Sequence, residues 1–334
     1  MNNLKNGKYI NRIFQADALD FLPKLKNNSI DLVLTDPPYF LDKLDEKWSH
    51  AAVSNKKNLY AVKSLPAGMK FDKEQGENLY DWYLKISKEV LRILKPGGFF
   101  LSFSSPRLYH KMASAIDDAG FLIKDCFLWI YTQNQVKAMS LNHFIQKSNT
   151  SQQEKEQVKK KLENWKTPQV KSCFEPIAVA QKPTEGTFLL NMIKYETGLV
   201  NTNAKVGNDM FPANILTTEP INATMDRYFL VPKPTKKEKG GFNSHLTVKP
   251  LSLCEQLIKL TTFSKDAVVC DPFLGSGTTV IAAKNLKRKF IGCDINSEYV
   301  KIAHERLQNK LPPGQIDPYR KPDIRKEAKG AGLF

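Results

Sequence analysis

The segment VVCDPFLGSGTTVIAAKNLKRKFIGCD, Val268 to Asp294, constrains this chain more than any other. It predicts an apolar strand over Ala267–Cys270 that stops at an acid, Asp271. Gly275 and Gly277 follow, then a helix over Thr278–Leu286. A second strand over Phe290–Cys293 stops at a second acid, Asp294. Strand, glycine turn, helix and strand in this order form one unit of a parallel sheet. Glycines at such a turn let the backbone bend tightly and approach a ligand. The helix N-terminus can face that ligand.

The loop has no Lys-Ser/Thr pair after Gly277, so it is not a P-loop. Val280 stands where a G-x-G-x-x-G pattern needs its third glycine. Alone, the two glycines would fit a plain strand-to-helix turn. Asp294 shifts the balance, because an acid at the end of the second strand can accept hydrogen bonds from ribose hydroxyls. The segment describes a nucleoside site without phosphate-binding features. S-adenosyl-L-methionine meets that description.

The same alternation runs through the first third of the chain. The sequence predicts a strand over Tyr9–Phe14, a helix over Ala18–Leu25 and a strand over Ile30–Leu34. Residues 40–77 are a polar connection without a clear period. A loop of that length closes over a site or lies disordered, and the sequence favours neither. Leu79, Trp82, Tyr83, Ile86, Val90 and Ile93 keep a helical period over Leu79–Leu94, and Lys95-Pro96-Gly97-Gly98 stops that helix. A strand over Phe99–Phe103, a helix over Tyr109–Ala119 and a strand over Phe127–Tyr131 come next. The strands are apolar throughout, so the fold class is α/β, a doubly wound, mostly parallel sheet covered on both sides.

The middle of the chain breaks the pattern. Residues 146–171 are polar and Lys-rich, a solvated helix or a mobile segment. Phe174–Ala180 is one more strand. Residues 183–244 form an irregular insert with short apolar pieces at Phe188–Met192 and Tyr228–Val231. Order returns with helices over Leu251–Leu260 and Glu298–Leu307, the latter offering Val300, Ile302, Ala303 and Leu307 to the core. The tail from Leu311 is basic and rich in Pro and Gly.

Composition narrows the partners. The 334 residues are 41% apolar and 10% aromatic, which suits a chain with a real core. Lys and Arg number 50 against 34 Asp and Glu, a net charge of +16. That surplus fits a polyanionic partner such as nucleic acid, and equally a basic but otherwise ordinary protein. Five scattered cysteines form no C-x-x-C pair, so neither a zinc site nor a disulfide framework is suggested. No run is long enough to cross a bilayer, and no secretory signal opens the chain. A cytoplasmic protein without a metal site is expected.

A second stretch, LVLTDPPYFL, puts Asp36-Pro37-Pro38-Tyr39 at the end of a strand. A capping acid and strand-ending prolines would explain it alone. Beside the glycine loop and Asp294, a ligand site at the carboxyl edge of the sheet is the better reading. Asp36-Pro37-Pro38-Tyr39 resembles the catalytic motif of amino-group DNA methyltransferases. Asp271-Pro272-Phe273-Leu274-Gly275-Ser276-Gly277-Thr278-Thr279 resembles their S-adenosylmethionine loop. His245-Leu246-Thr247-Val248-Lys249-Pro250 resembles the element before that loop in the circularly permuted β class, except that Leu246 replaces the usual proline. The order of the three motifs is that of the β class in restriction-modification and phage enzymes.

The resemblance implies a Rossmann-like methyltransferase fold with a target-recognition insert. It implies a catalytic half at 1–131, a recognition region at 132–244 with 174–182 as a sheet strand, a cofactor half at 245–310 and a flexible tail at 311–334. It implies catalytic roles for Asp36, Pro37, Pro38 and Tyr39. Asp271, Phe273, Gly275, Ser276, Gly277 and Thr278, with Asp36, would line the methionine end of the cofactor, and Asp294 would hold the ribose. Asp17 and Ala18 would meet the adenine ring, although an acid before a short helix is often only an N-cap. His245, Thr247, Lys249 and Pro250 would close the site.

The implied substrate is double-stranded DNA, methylated at adenine N6. An acid at position 36 fits adenine, whereas serine is commoner in cytosine-N4 enzymes, which stand second. Methylation of RNA or of a protein amide, and a non-catalytic DNA-binding subunit, are further alternatives. The resemblance leaves room for a homodimer and a cognate restriction endonuclease, in a bacterial or phage setting. Lys166, Lys171, Lys194, Lys205, Arg227, Lys233, Lys236 and Lys237 supply cations in the insert for phosphates.

Overall fold

The computed structural model describes residues 7–39, 73–131, 138–168, 170, 172–204, 212–217 and 248–308. The chain divides into two compact units, one of Met1–Trp129 with Glu175–Phe334 and one of Ile130–Phe174.

A sheet of eight strands organises the fold. In chain order these are β1 Arg12–Gln15, β2 Ile30–Thr35, β3 Leu94–Phe103, β4 Leu122–Ile130, β5 Phe174–Gln181, β6 Ile215–Thr217, β7 Val268–Asp271 and β8 Lys289–Asp294. Their order across the sheet is β1-β8-β7-β2-β3-β5-β4-β6. The pairs from β1 to β3 are all parallel. β5 runs antiparallel to β3, with Phe103 opposite Ile177. This mostly parallel α/β sheet is the expected fold class.

The helices are α1 Ala18–Phe21, α2 Lys73–Ile93, α3 Tyr109–Asp118, α4 Asn142–Lys147, α5 Gln152–Lys161, α6 Phe188–Tyr195, α7 Leu251–Thr261, α8 Thr278–Asn285 and α9 Ser297–Gln308. A 3-10 turn at Leu22–Lys24 follows α1. Alternate strand residues face opposite sides. Val33, Phe100, Cys270 and Ile291 pack with Tyr83, Ile86, Val90 and Ile93 of α2 and Met112 and Ile116 of α3. α7 packs on β2, and α8 on β7 and β8. Both faces are therefore covered, which is why β2 is buried at all six positions. Each fully buried Leu, Val or Ile contributes about 1.5–3 kcal/mol.

One acid sits inside that apolar strand. Asp31 Oδ1 takes the Lys95 ammonium at 2.7 Å, and Oδ2 accepts the Val268 amide at 2.8 Å. Paired in this way, a buried carboxylate clamps β2 to β7.

In the second unit α5 is an exposed helix, and α4 buries Ile145 alone. Ser151 and Glu154 form a reciprocal capping box that starts α5. The solvated-helix reading of this Lys-rich segment is the one observed.

Several boundaries differ from the sequence reading. α2 begins at Lys73, so the end of the 40–77 connection is helical; KEQGE has no apolar period to reveal it. β3 begins at Leu94, ahead of the predicted Phe99, and a register shift against β2 between Ile30 and Leu32 accommodates it. Lys95 to Gly98 thus follows the helix, as predicted, but already lies in the strand. β4 begins at Leu122, ahead of the predicted Phe127, and its first four residues are all exposed, so no buried face marks that start. β1 begins at Arg12, and Tyr9 instead packs edge-on against Phe14 and Phe21. The apolar piece Phe188–Met192 belongs to α6. In α9 the buried residue near the end is Arg306, not the expected Leu307. The predicted pieces at Tyr228–Val231 and from Leu311 lie outside the described residues.

Candidate active site

Three acids end three neighbouring parallel strands. Asp36 follows β2, Asp271 ends β7 and Asp294 ends β8. A parallel sheet places all three at one edge, where open α/β sheets receive ligands. Thr35 locks two of these ends together, its hydroxyl donating to Asp271 Oδ1 at 2.6 Å.

Asp36 sits in a cluster of charged and polar groups. Lys249 Nζ donates to Asp36 Oδ2 and lies 3.1 Å from Glu175 Oε2. The Tyr39 hydroxyl donates to Asp36 Oδ1 at 2.6 Å and lies 3.5 Å from Glu175 Oε2. The Lys249 side chain is only 8% exposed, and its ammonium lies 4.9 Å from the Phe103 ring centre. Burial pulls its pKa down, but the charges of Asp36 and Glu175 outweigh that and raise it, so Lys249 is an ammonium. Pro37 is buried and Pro38 half-buried behind the acid.

The glycine loop is held from within. Gly275 and Gly277 take positive φ values of 50° and 86°. A Cβ on Gly277 would lie 2.9 Å from the Ala303 Cβ, so this glycine serves close packing of the loop on α9. Arg306, itself buried, donates to the Ser276 carbonyl at 2.6 Å, the Ser276 hydroxyl at 2.9 Å and the Thr278 hydroxyl at 3.3 Å. Phe273 leans on Trp82 with ring centres 5.3 Å apart.

The two loop acids hold their positions through backbone amides. Asp294 Oδ2 accepts the Gly275 amide at 2.7 Å and Oδ1 the Asn296 amide at 2.9 Å. Burial raises the Asp294 pKa, and these amides partly oppose it. Burial pushes Asp271 up to about 7 against hydrogen bonds from Thr35, Thr279 and the Phe273 amide.

A cleft lined by Asp36, Lys249, Asp271, Phe273, Gly275 and Ser276 joins the two motifs, with Thr278 also in its wall. Asp17, Ala18 and Asp294 stand at adjoining strand ends. Asp17 accepts the Leu19 amide at 2.7 Å as N-cap of α1, while Ala18 is in the core. Pro250 is the N-cap position of α7. His245 and Thr247 lie outside the described residues, as do Lys171, Lys205, Arg227, Lys233, Lys236 and Lys237.

Charge decides which nucleoside ligand this cleft suits. Carboxylates flank the glycine loop, and the Arg306 guanidinium is committed to Ser276 and Thr278. Such a loop repels a phosphate and suits a cationic ligand with a ribose diol. A sulfonium amino acid joined to adenosine matches that donor set.

The DNA methylase family that includes N6 and N4 methyltransferases matches residues 30–305. The chain belongs to this family. It is an S-adenosylmethionine-dependent DNA methyltransferase, and its cofactor is S-adenosyl-L-methionine. The methyltransferase is 30% identical over 318 residues to the type II methyltransferase M.HindIII of Haemophilus influenzae, covering 89% of this chain and 95% of that one. It is 26% identical over 316 residues to the DNA adenine methyltransferase YhdJ of Escherichia coli, covering 90% and 84%. Among solved structures, the PvuII cytosine-N4-specific DNA methyltransferase shares the fold, with a TM-score of 0.54 and 20% identity over 92% of this chain and 90% of that one. Among the described residues, no helix is long and apolar enough to cross a membrane.

Sequence reasoning missed Glu175 and Arg306. Glu175 is the second residue of β5, and only an antiparallel strand brings its first residues to the carboxyl edge of β2 and β3. Arg306 was legible as a cation on the apolar face of α9, four residues after Ile302 and three after Ala303.

Proposed function

We propose that the methyltransferase acts on adenine N6 of a base extruded from double-stranded DNA, as a circularly permuted β-class enzyme. The observation that carries this reading is Asp36, at the carboxyl end of β2 and in one cleft with the glycine loop. The order of the motifs, Asp36-Pro37-Pro38-Tyr39 before Asp271–Thr279, supports the permuted class. The acid at position 36 and the likeness to YhdJ support adenine.

An exocyclic amine is a weak nucleophile because its lone pair is delocalised into the ring. Asp36 accepts one N–H and the Pro37 carbonyl the other, which draws the nitrogen towards tetrahedral geometry and frees its lone pair. Proline fixes φ and adds no N–H of its own. Tyr39, tied to Asp36 by its hydroxyl, offers its ring to the extruded base, a stacking contact of about 1–3 kcal/mol. The bound sulfonium supplies a methyl group already activated for transfer. Asp36 then takes the proton that the alkylated nitrogen must lose. Alignment and fixed charge provide the rate gain.

In the cofactor half, Asp294 takes the ribose hydroxyls. Asp271, Phe273, Gly275, Ser276, Gly277 and Thr278 receive the methionine end. Asp17 and Ala18 meet the adenine ring, and His245, Thr247, Lys249 and Pro250 close the site. The region 132–244, between the halves 1–131 and 245–310, reads the DNA target, and 311–334 is a basic tail.

The test is nucleoside mass spectrometry of unmethylated genomic DNA incubated with the enzyme and S-adenosylmethionine. N6-methyldeoxyadenosine is the expected product. N4-methyldeoxycytidine would overturn the adenine assignment and leave the cytosine reading.

A further inference from the structure

Lys249 alone would make the amine pocket electrically unsuitable. Its ammonium bonds Asp36, and the two charges cancel. The reaction moves a positive charge from sulfur to the amine nitrogen, so a neutral pocket with a lysine at its edge gives that charge little support. Glu175 changes the sum. Its Oε2 lies 3.1 Å from Lys249 Nζ, on a side chain 20% exposed, giving two carboxylates to one ammonium. β5 delivers it there because that strand runs antiparallel to β3, and the Ser104 amide bonds the Pro176 carbonyl at 2.9 Å beside it. Phe103 and Trp129, with ring centres 4.9 and 6.0 Å from Nζ, shield the ammonium. In such surroundings a single charge is felt strongly.

We propose that Glu175 is a positioning residue for methyl transfer: by holding Lys249 from the far side it orients Asp36 and keeps the amine pocket net negative. This rests on the reading of Asp36 as the amine acceptor. Glu175 does not touch the base. Its effect is on the chemical step and passes mainly through Lys249, with the Tyr39 hydroxyl 3.5 Å from Glu175 as a weaker second link to Asp36.

The test is single-turnover methylation of unmethylated genomic DNA by the full chain, with cofactor affinity from calorimetry and folding from thermal melting. Glu175→Gln is expected to slow the chemical step roughly tenfold, inside the span of couplings found between contacting residues. Its melting and its S-adenosylmethionine affinity should match the parent. In a Lys249→Met background the same change should cost much less. If Lys249→Met is too slow to measure, Glu175→Asp decides, because it keeps the charge and should outpace Glu175→Gln. A parental rate for Glu175→Gln, an undiminished penalty without Lys249, or Gln matching Asp would each overturn the proposal. An inactive Asp36→Ala beside a fully active Glu175→Gln would sink this inference alone. An active Asp36→Ala would sink the functional reading beneath it.

Discussion

The Thr35 hydroxyl donates to Asp271 at 2.6 Å, across 236 residues of sequence, where β2 and β7 end side by side. The residue after Thr35 is the candidate amine acceptor, and the residues after Asp271 form the cofactor loop. One buried hydrogen bond thus fixes the two halves of the reaction relative to each other. Such a bond contributes about 0.5–1.5 kcal/mol while Asp271 is neutral and about 1.5–3 kcal/mol once it ionises.

Asp271 makes stability depend on pH. An aspartate ordinarily ionises near 3.8, and burial pushes this one up to about 7. Between those values the unfolded chain loses the proton while the folded chain keeps it. Ionisation there favours unfolding, so this residue's contribution falls as pH rises from about 4 to about 7 and is flat above. The stability of Asp271→Asn relative to the parent should therefore be higher at pH 8 than at pH 4, while cofactor binding weakens. Denaturant titrations at the two pH values check this, and a variant-to-parent difference that ignores pH would contradict it.

Gly277 combines a φ of 86° with a neighbour 2.9 Å from any added Cβ. Gly277→Ala should cost at least about 1–3 kcal/mol of stability, since both backbone strain and the Ala303 contact oppose it. Chemical denaturation measures that loss. Parental stability would show that α9 can move away freely.

Asp294→Ala removes the acceptor of the Gly275 and Asn296 amides and the proposed ribose partner. Cofactor affinity should fall roughly 10- to 100-fold by calorimetry, the weight of hydrogen bonds to a charged group. Unchanged affinity would refute the ribose role.

The sequence carried the parallel half of the sheet well, because apolar strands ending in acids leave a direct trace. It carried Asp36 and Asp271 into one cleft for the same reason, whereas Lys249 was legible only through the resemblance of its motif. It could not reveal Glu175, whose place at the edge follows from strand direction, a property of the sheet and not of FEPI as a string. Nor did it separate ligand glycines from packing glycines; only the fold shows that Gly277 faces Ala303. Asp31, which the apolar reading of that strand passed over, is a clamp satisfied by Lys95 and the Val268 amide. The start of α2 was hidden because its first residues carry no apolar period.

The most direct test of the catalytic account is Asp36→Ala, assayed for methyl transfer to unmethylated genomic DNA and for S-adenosylmethionine binding by calorimetry. Lys249 keeps Glu175 as a partner in that variant, so the cleft should persist. The account predicts that methyl transfer disappears while cofactor affinity stays within about tenfold of the parent, a difference of about 1.4 kcal/mol. Methylation at the parental rate would contradict it.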